Sequence, residues 1–232
     1  MMDQERLYYE IDAREGYALW APFYDSEVNA LIAAEELYSN DIVARLSFKN
    51  ALDVGAGTGR YLSKLAHSNV QITAVDQAPE MLELAQQAAQ KQGLSVNFCL
   101  ASLDEKLPFS AQTFDMLTCA LVLNHVPRLS QAIQEFARVL QNNGYMLITD
   151  LHPACFTYGW RGEFRHEGKR YLLPTMPHTR EDYLQALTKS GLTILEVHDI
   201  ALDEIPAGYF PQAFIQQNSE KFLILIVLAQ KK

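Results

Sequence analysis

A glycine-rich segment preceded by an acidic residue is the feature of this sequence best suited to bind a ligand. Residues 51–60 read ALDVGAGTGR, so a short apolar run that contains Asp53 leads into three alternating glycines. Glycines at a strand-to-helix turn let the backbone approach a ligand closely and direct N–H groups at it. The spacing is G-x-G-x-G, whereas dinucleotide folds use G-x-G-x-x-G. A carboxylate at Asp53 would repel a pyrophosphate but accept hydrogen bonds from a cationic amino group. The segment therefore favours a positively charged ligand.

A second acidic residue, Asp76, follows the next apolar run, Ile72–Val75. At the tip of the second strand of a nucleotide-binding α/β fold, an acid accepts hydrogen bonds from the ribose hydroxyls. The alternative is a surface acid that caps the helix starting at Pro79.

Strands and helices alternate around these two acids. Apolar runs predict strands at 50–54, 71–75, 96–100, 114–121, 145–150, 192–200 and 222–229, and the segments 60–67, 79–92, 129–140 and 179–189 are predicted to be helical. Alternation at this spacing implies a parallel sheet with helices on both faces.

We expect a single domain over residues 1–232. Residues 1–47 are predicted to form a helical leader or lid, and 48–151 the ligand-binding core. Residues 152–178, rich in Gly, Pro and aromatic residues, form an excursion of a length that is usually functional. Residues 179–232 supply the last helix and the last two strands.

Composition narrows the class of protein. The formal net charge of −9 argues against a nucleic-acid binder, which usually carries a basic stripe. Three widely spaced cysteines indicate reduced thiols rather than a disulfide framework or a zinc site, and no metal is expected. The acidic N-terminal residues do not resemble a signal peptide, and the longest apolar run is too short to span a membrane. A cytoplasmic protein, monomeric or homodimeric, is expected.

Several motifs in order resemble the class I S-adenosylmethionine-dependent methyltransferases, in particular the small-molecule branch called type 11. They are LDVGAGTGR, AVDQAPEMLELA, ASLDEKLPF followed by Phe114-Asp115, LVLNHV, and ARVLQNNGYMLITDLHP, which together cover roughly residues 50–153. The resemblance implies a Rossmann-like sheet of seven mostly parallel strands in the order 3-2-1-4-5-7-6, with strand 7 antiparallel, helices on both faces and a small lid. It implies S-adenosylmethionine as cofactor, S-adenosylhomocysteine as product and a small-molecule methyl acceptor.

The resemblance also assigns roles by position. The residues implied to contact the cofactor are Tyr17, Asp53, Gly55, Gly57, Asp76, Gln77, Met81, Ser102, Leu103 and Cys119. Ser102 departs from relatives that carry an acid for the adenine amino group. Asn142-Asn143-Gly144 replaces the more usual Pro-Gly-Gly type of turn, which Asn tolerates because it adopts left-handed geometry. Met81 is equally consistent with a core position.

Methyl transfer needs a general base only if the acceptor must lose a proton. His125 and His152, after the fourth and fifth strands, are the candidates, and each is equally open to a structural role. Trp20 and Tyr24 in the leader and Trp160 in the excursion are the candidate acceptor contacts; helix packing is the alternative for them.

Other functions remain open from the sequence. They are a non-catalytic S-adenosylmethionine-binding protein, an enzyme with a macromolecular acceptor and, less favoured, an NAD-dependent dehydrogenase. The spacing of the glycines and Asp53 disfavour the dehydrogenase, and the acidic charge disfavours a nucleic-acid acceptor. The sequence does not identify the acceptor.

Overall fold

The computed structural model describes residues 8–26 and 29–232; residues 1–7 and 27–28 of the predicted leader lie outside the described residues. The strands are β1 (Tyr8–Glu10), β2 (Asn50–Val54), β3 (Gln71–Asp76), β4 (Val96–Leu100), β5 (Phe114–Ala120), β6 (Leu140–Leu151), β7 (Glu163–His166), β8 (Lys169–Leu172), β9 (Leu192–Ala201) and β10 (Phe222–Lys231). The α-helices are α1 (Ala13–Trp20), α2 (Ala30–Ala44), α3 (Leu62–Leu65), α4 (Pro79–Lys91), α5 (Leu129–Val139), α6 (Ala154–Tyr158), α7 (Arg180–Lys189) and α8 (Gln212–Asn218). Short 3-10 turns span Ala21–Phe23, Leu123–His125 and Leu202–Glu204.

Seven of the strands form one sheet in the order β4-β3-β2-β5-β6-β10-β9. β2 pairs in parallel with β3 and β5, β3 with β4, and β5 with β6. β10 runs antiparallel to both of its neighbours, β6 and β9. Counted within this sheet alone, the order is 3-2-1-4-5-7-6, and the fold class expected from the sequence is confirmed.

The interior position of β10 follows from its composition. Residues Leu223–Ala229 are all buried apolar side chains. A strand covered by packing layers on both faces must be apolar at every position rather than at alternate ones. The continuous apolar run therefore places β10 between two other strands and away from a sheet edge.

Two apolar layers cover the two faces of the sheet. On one face, Ile133 and Phe136 of α5 and Tyr183 of α7 pack into a cluster with side chains of the central strands. On the other face, a second cluster includes Ile42 of α2 and Leu62 of α3. Side chains therefore pack on both faces of strands β2, β3 and β5, and this packing fixes the positions of the loops that follow these strands.

The helix ends largely follow the predicted signals. Thr179 and Asp182 form a reciprocal capping box at the start of α7. Gly93, just after α4, has φ +66°, the left-handed conformation expected of a C-terminal glycine. The predicted helix over 60–67 is shorter, because only Leu62–Leu65 is α-helical. β6 begins at Leu140, earlier than predicted, and continues past the turn in which Asn143 has φ +63°.

The leader and the excursion form a small second sheet that the sequence did not predict. β7 and β8 form an antiparallel hairpin, and β1 pairs in parallel with β8. The leader is therefore not helical throughout, and the excursion is an ordered hairpin after the short α6. Strands of three or four residues rich in charged side chains carry little apolar alternation, so their sequence gives no strand signal.

Across residues 8–26 and 29–232, no helix has both the length and the apolar character needed to cross a membrane.

Candidate functional site

The loop after β2 requires glycine for two different reasons. Gly55 has φ +70°, and a Cβ built on it would lie 2.4 Å from a side-chain carbon of Val122. Gly57 has φ +55° with open space where its Cβ would be. Left-handed backbone is strained for other residues. The N–H groups of Gly55 and Ala56 both donate to the carbonyl of Val75, at 2.8 and 2.9 Å. The loop is therefore held against the end of β3.

Asp76, at the end of β3, ties this loop to α4. Its Oδ2 accepts a hydrogen bond from the N–H of Gly57 at 2.8 Å, and its Oδ1 accepts from Ala78 at 2.9 Å. Burial raises the pKa of Asp76, and these backbone donors partly oppose that shift. A carboxylate oxygen has capacity beyond one donor, so each oxygen can still accept from a ligand hydroxyl.

Asp53 is the more unusual of the two acids because it is only 2% exposed. Its Oδ1 accepts from the hydroxyl of Thr118 at 2.8 Å, while its buried Oδ2 has no hydrogen-bond partner among the described residues. Burial raises its pKa to about 6. A buried acceptor without a partner is costly. Asp53 lines the cavity, so a cationic ligand there would supply the missing donors.

Tyr17 and His125, which also line this cavity, contact each other. The Tyr17 hydroxyl lies 3.0 Å from Nε2 of His125, and Nδ1 of His125 lies 2.5 Å from the carbonyl oxygen of Pro174. A carbonyl can only accept, so Nδ1 carries the proton and Nε2 accepts from Tyr17. Burial lowers the pKa of His125, and burial followed by nearby acidic groups raises that of Tyr17. Both groups are therefore neutral near pH 7.

These residues surround a cavity of about 240 Å³ beyond the carboxyl ends of the parallel strands. That is where open α/β sheets bind ligands. Of the residues singled out from the sequence, those that line the cavity are Tyr17, Tyr24, Asp53, Gly55, Gly57, Asp76, Gln77, Met81, Leu103 and His125. The fold therefore brings most of the sequence-derived candidates to one place.

Four of the remaining candidates lie outside the cavity lining. Ser102 accepts a hydrogen bond from the N–H of Asp104 at 3.2 Å. Cys119 is fully buried in the core. Trp20 stacks on the Tyr17 ring, with ring centroids 6.0 Å apart, and Trp160 packs against Phe214 at 5.4 Å. Trp20 thus supports a cavity residue, whereas Trp160 belongs to the packing of the second apolar cluster.

His152 lies beside a separate, much smaller cavity. Its Nε2 is 3.1 Å from Oδ1 of Asp199, and its Nδ1 accepts from the N–H of Ala154 at 3.1 Å. Asp199 is also bound by Arg180. Because both ring nitrogens of His152 are engaged, the ring joins the end of β6 to β9 and does not face His125 across the main cavity.

Other cavity residues did not stand out in the sequence. Asp12 caps α1 by accepting from the N–H groups of Arg14 and Glu15, a role that the pattern Asp-x-x-Glu indicates. Pro174 and Met176 line the cavity after β8. No local pattern marks these two, because the hairpin brings them to the site from far along the chain.

Charge in the cavity is predominantly negative. Asp12, Asp53, Asp76 and Asp104 contribute carboxylates, and Arg60 contributes a guanidinium. Arg60 is itself paired with two glutamates of α2, Glu35 and Glu36. A cationic ligand therefore enters a favourable field, and an anionic one does not.

Known proteins share both sequence and fold with this chain. Residues 52–148 match the protein family described as Methyltransferase domain. The chain is 31% identical over 154 residues to the ubiquinone biosynthesis O-methyltransferase of Xanthomonas axonopodis pv. citri (strain 306). That alignment covers 63% of this chain and 63% of that protein, so the chain spans less than two thirds of this relative's length.

Two solved structures have the same fold. A crystal structure of an S-adenosylmethionine dependent methyltransferase from Mesorhizobium loti matches with a TM-score of 0.62 at 20% identity, over 87% of this chain and 100% of that one. The 4+2 cyclase SpnF matches with a TM-score of 0.68 at 21% identity, over 94% of this chain and 95% of that one. At these identities the likeness concerns the fold alone.

Proposed function

We propose that this chain, whose residues 52–148 match the protein family described as Methyltransferase domain, is a class I methyltransferase that transfers a methyl group from S-adenosylmethionine to a small-molecule acceptor. The observation that carries the proposal is a pair of carboxylates at the tips of adjacent parallel strands, the buried Asp53 and the half-buried Asp76. Asp76 keeps acceptor capacity for hydroxyls, and Asp53 has a buried oxygen without a donor among the described residues. An ammonium and a ribose diol supply those donors.

The residues present fit the cofactor along its length. Asp53 with Gly55 and Gly57 would hold the methionine part, and Asp76 the ribose. Gln77, Met81 and Leu103 would flank the adenine. The net negative lining matches a ligand that carries sulfonium and ammonium charges. When bound, the cofactor supplies a methyl group activated on its sulfonium sulfur. The protein then contributes by binding the acceptor near that methyl group and by excluding water.

The leader and the β7–β8 hairpin enclose the side of the cavity at which we propose that the methyl acceptor binds. Tyr17 and Tyr24 line it from the leader, and Pro174 and Met176 from the segment after β8. A side so enclosed favours a small molecule over the exposed chain of a polymer. The O-methyltransferase named among the relatives supports the same class of acceptor.

Calorimetric titration with S-adenosylhomocysteine tests the cofactor assignment. Asp76→Asn should weaken binding by about 10- to 100-fold, because each of the two hydrogen bonds to the ribose loses roughly 1 kcal/mol when a charge-assisted bond becomes a neutral one. Asp41→Asn, an exposed position on α2, makes the same change of charge outside the cavity and should leave affinity unchanged. Equal affinity in both variants, or tighter binding of NAD, would contradict the proposal.

Turnover needs its own test, since the same fold occurs in a cyclase. The protein is incubated with methyl-labelled S-adenosylmethionine and separate metabolite, protein and nucleic-acid fractions. Label transferred to a small molecule is expected. Label in the macromolecular fractions, or cofactor binding without transfer to any fraction, would refute the function.

A further inference from the structure

The hydrogen bond from Tyr17 already occupies the basic nitrogen of His125. The other nitrogen of the ring is a donor to Pro174 and cannot act as a base. An acceptor in the cavity therefore meets the Tyr17 oxygen before it meets Nε2. That oxygen donates its own proton to His125 and keeps lone pairs that can receive another.

Resting on the proposed function, we propose that the methyl acceptor carries a weakly acidic hydroxyl group and that Tyr17 relays its proton to His125. The class that fits is a small hydroxylated aromatic or comparable alcohol that must be deprotonated to attack. Tyr17 is then the residue that touches the acceptor, and His125 is the final proton store.

The step balances without a further reactant. The acceptor O–H bond breaks and its proton goes to the Tyr17 oxygen, while the Tyr17 proton goes to Nε2 of His125. The acceptor oxygen forms a bond to the methyl carbon, and the S–C electron pair remains on sulfur. One positive charge moves from the sulfonium to the imidazolium, which afterwards releases a proton to solvent.

Packing holds the relay in this geometry. The Tyr17 ring stacks on Trp20 at 6.0 Å and meets the His125 ring edge-on at 5.6 Å. A Cβ built on Gly162 would lie 3.7 Å from Cε1 of His125, so the backbone of the excursion closes directly over the imidazole. A ring fixed on several sides keeps its hydroxyl aimed at Nε2, which is the preorganisation that proton transfer needs.

The hydrogen bond to Pro174 suits a proton store that starts neutral and ends charged. Burial lowers the pKa of His125, so the ring is neutral before the reaction, and the Nδ1 bond to the Pro174 carbonyl opposes that shift. This bond becomes charge-assisted when the imidazolium forms. Asp12 and Asp76 share the cavity lining with Tyr17 and His125, and Asp150 accepts from the N–H of Asn124, next to His125 in the chain.

Amine and thiol acceptors do not need a proton relay of this kind. A neutral amine attacks through a lone pair that is already present, and a thiol is more acidic than an alcohol and ionises readily. A hydroxyl of pKa near that of tyrosine, about 10, is almost wholly protonated at pH 7 and gains most from a positioned base.

Substitution of the relay and variation of the acceptor test the inference together. Tyr17→Phe keeps the ring, and His125→Gln removes the basic nitrogen. Both should lower kcat by at least about 100-fold on a hydroxylated aromatic that the wild type methylates. The relay places Tyr17 at the acceptor, whereas the family resemblance implies a contact with the cofactor, so affinity for S-adenosylhomocysteine should change little if the relay is right. The double variant should be no slower than either single one, because the two residues act as a unit. Tyr171→Phe, on β8 and outside the cavity lining, is the matched control.

The decisive comparison uses a nitro-substituted analogue of the same acceptor, ionised at the assay pH. Tyr17→Phe should methylate it at close to the wild-type rate, because no proton remains to be removed. Equal losses on both acceptors, or no loss on the weakly acidic one, would overturn the relay. A wild type that methylates only amines, thiols or carbon acids would overturn it too, while leaving the proposed function intact.

Nitrogen-15 NMR of the free protein gives a readout independent of turnover. The His125 ring should carry its proton on Nδ1, and Tyr17→Phe should shift the Nε2 resonance without moving the proton. A ring protonated on Nε2 would refute the relay and leave the proposed function intact, whereas failure to bind S-adenosylhomocysteine would refute the proposed function and the relay with it.

Discussion

The stability of the free protein should carry a pH dependence that belongs to Asp53. In the folded state burial raises the pKa of this carboxyl from 3.8 to about 6. Below the lower value both folded and unfolded chains are protonated, and Asp53 contributes nothing. Between the two values the folded chain holds more protons, so stability falls as pH rises. Above about pH 6 the carboxyl is ionised in both states, so the buried charge lowers the free energy of unfolding by its full amount and adds no further pH dependence.

The size of this effect follows from the rise of the Asp53 pKa from 3.8 to about 6. At 1.36 kcal/mol for each tenfold change in proton affinity, this rise corresponds to about 3 kcal/mol in the free energy of unfolding. Asp53→Asn lacks the titrating group but keeps an oxygen for Thr118. The contacts of the amide are independent of pH. The stability of the variant relative to the wild type should therefore improve by about 2.4 kcal/mol between pH 4 and pH 7, because part of the full effect is already present at pH 4.

Urea unfolding of both proteins at closely spaced pH values measures this difference. Asp76 and Asp150, whose pKa values are also raised, titrate in both proteins, so their contributions are shared apart from the charge repulsion between Asp76 and Asp53. Parallel stability curves would refute the reasoning, because Asp53 would then titrate as in the unfolded chain. Affinity for S-adenosylhomocysteine should rise with pH through about 6 in the wild type, since its ammonium pairs with the charged carboxylate, and this rise should be absent in Asp53→Asn.

Three further substitutions separate structure from function. Gly55→Ala should lower the free energy of unfolding by about 1–3 kcal/mol and reduce cofactor affinity, because Gly55 has a positive φ and lies close to Val122. Thermal unfolding measures the stability and calorimetry measures the affinity. A variant with unchanged melting temperature and unchanged binding would contradict the loop geometry. Trp160→Ala should lower the free energy of unfolding by about 2 kcal/mol, because packing on Phe214 is lost, and should leave kcat unchanged. If the variant is fully stable but loses turnover, Trp160 is an acceptor contact after all. Thr179→Ala should lower the free energy of unfolding by about 1 kcal/mol, because it removes the cap of α7; chemical denaturation measures this loss, and calorimetric titration should show unchanged affinity for S-adenosylhomocysteine.

The central sheet was predictable because its signals are local and redundant. Each parallel strand reads as a short apolar run, glycines mark the turn after β2, and Thr179 marks the start of α7. Asp53 and Asp76 were found for the same reason, since parallel strands bring their carboxyl ends to one edge of the sheet. Residues fixed by strand order and strand ends are therefore accessible to sequence reasoning.

The remaining parts of the site depend on pairings between distant segments. β1 and β8 are too short and too polar to show alternation, so neither the small sheet nor the placement of Pro174 has a local signature. His125 and His152 look alike in the sequence, each following a strand of the sheet. Only the structure shows that one faces the cavity while the other is bound to Asp199.

The small sheet also explains how one site draws on segments so far apart in the chain. Pairing of β1 with β8 holds α1 beside the excursion, and Trp20 stacks on Phe164 of β7 at 4.9 Å. Gly16 lets α1 approach closely, since a Cβ there would lie 2.5 Å from Leu173. The leader and the hairpin thus form one packed layer, and the Tyr17 contact with His125 joins that layer to the turn after β5. Under the proposed function, the cofactor binds at the ends of the rigid strands and the acceptor binds beside this separate layer. Substitutions in the hairpin should then change the relative turnover of different acceptors more than they change the affinity for S-adenosylhomocysteine.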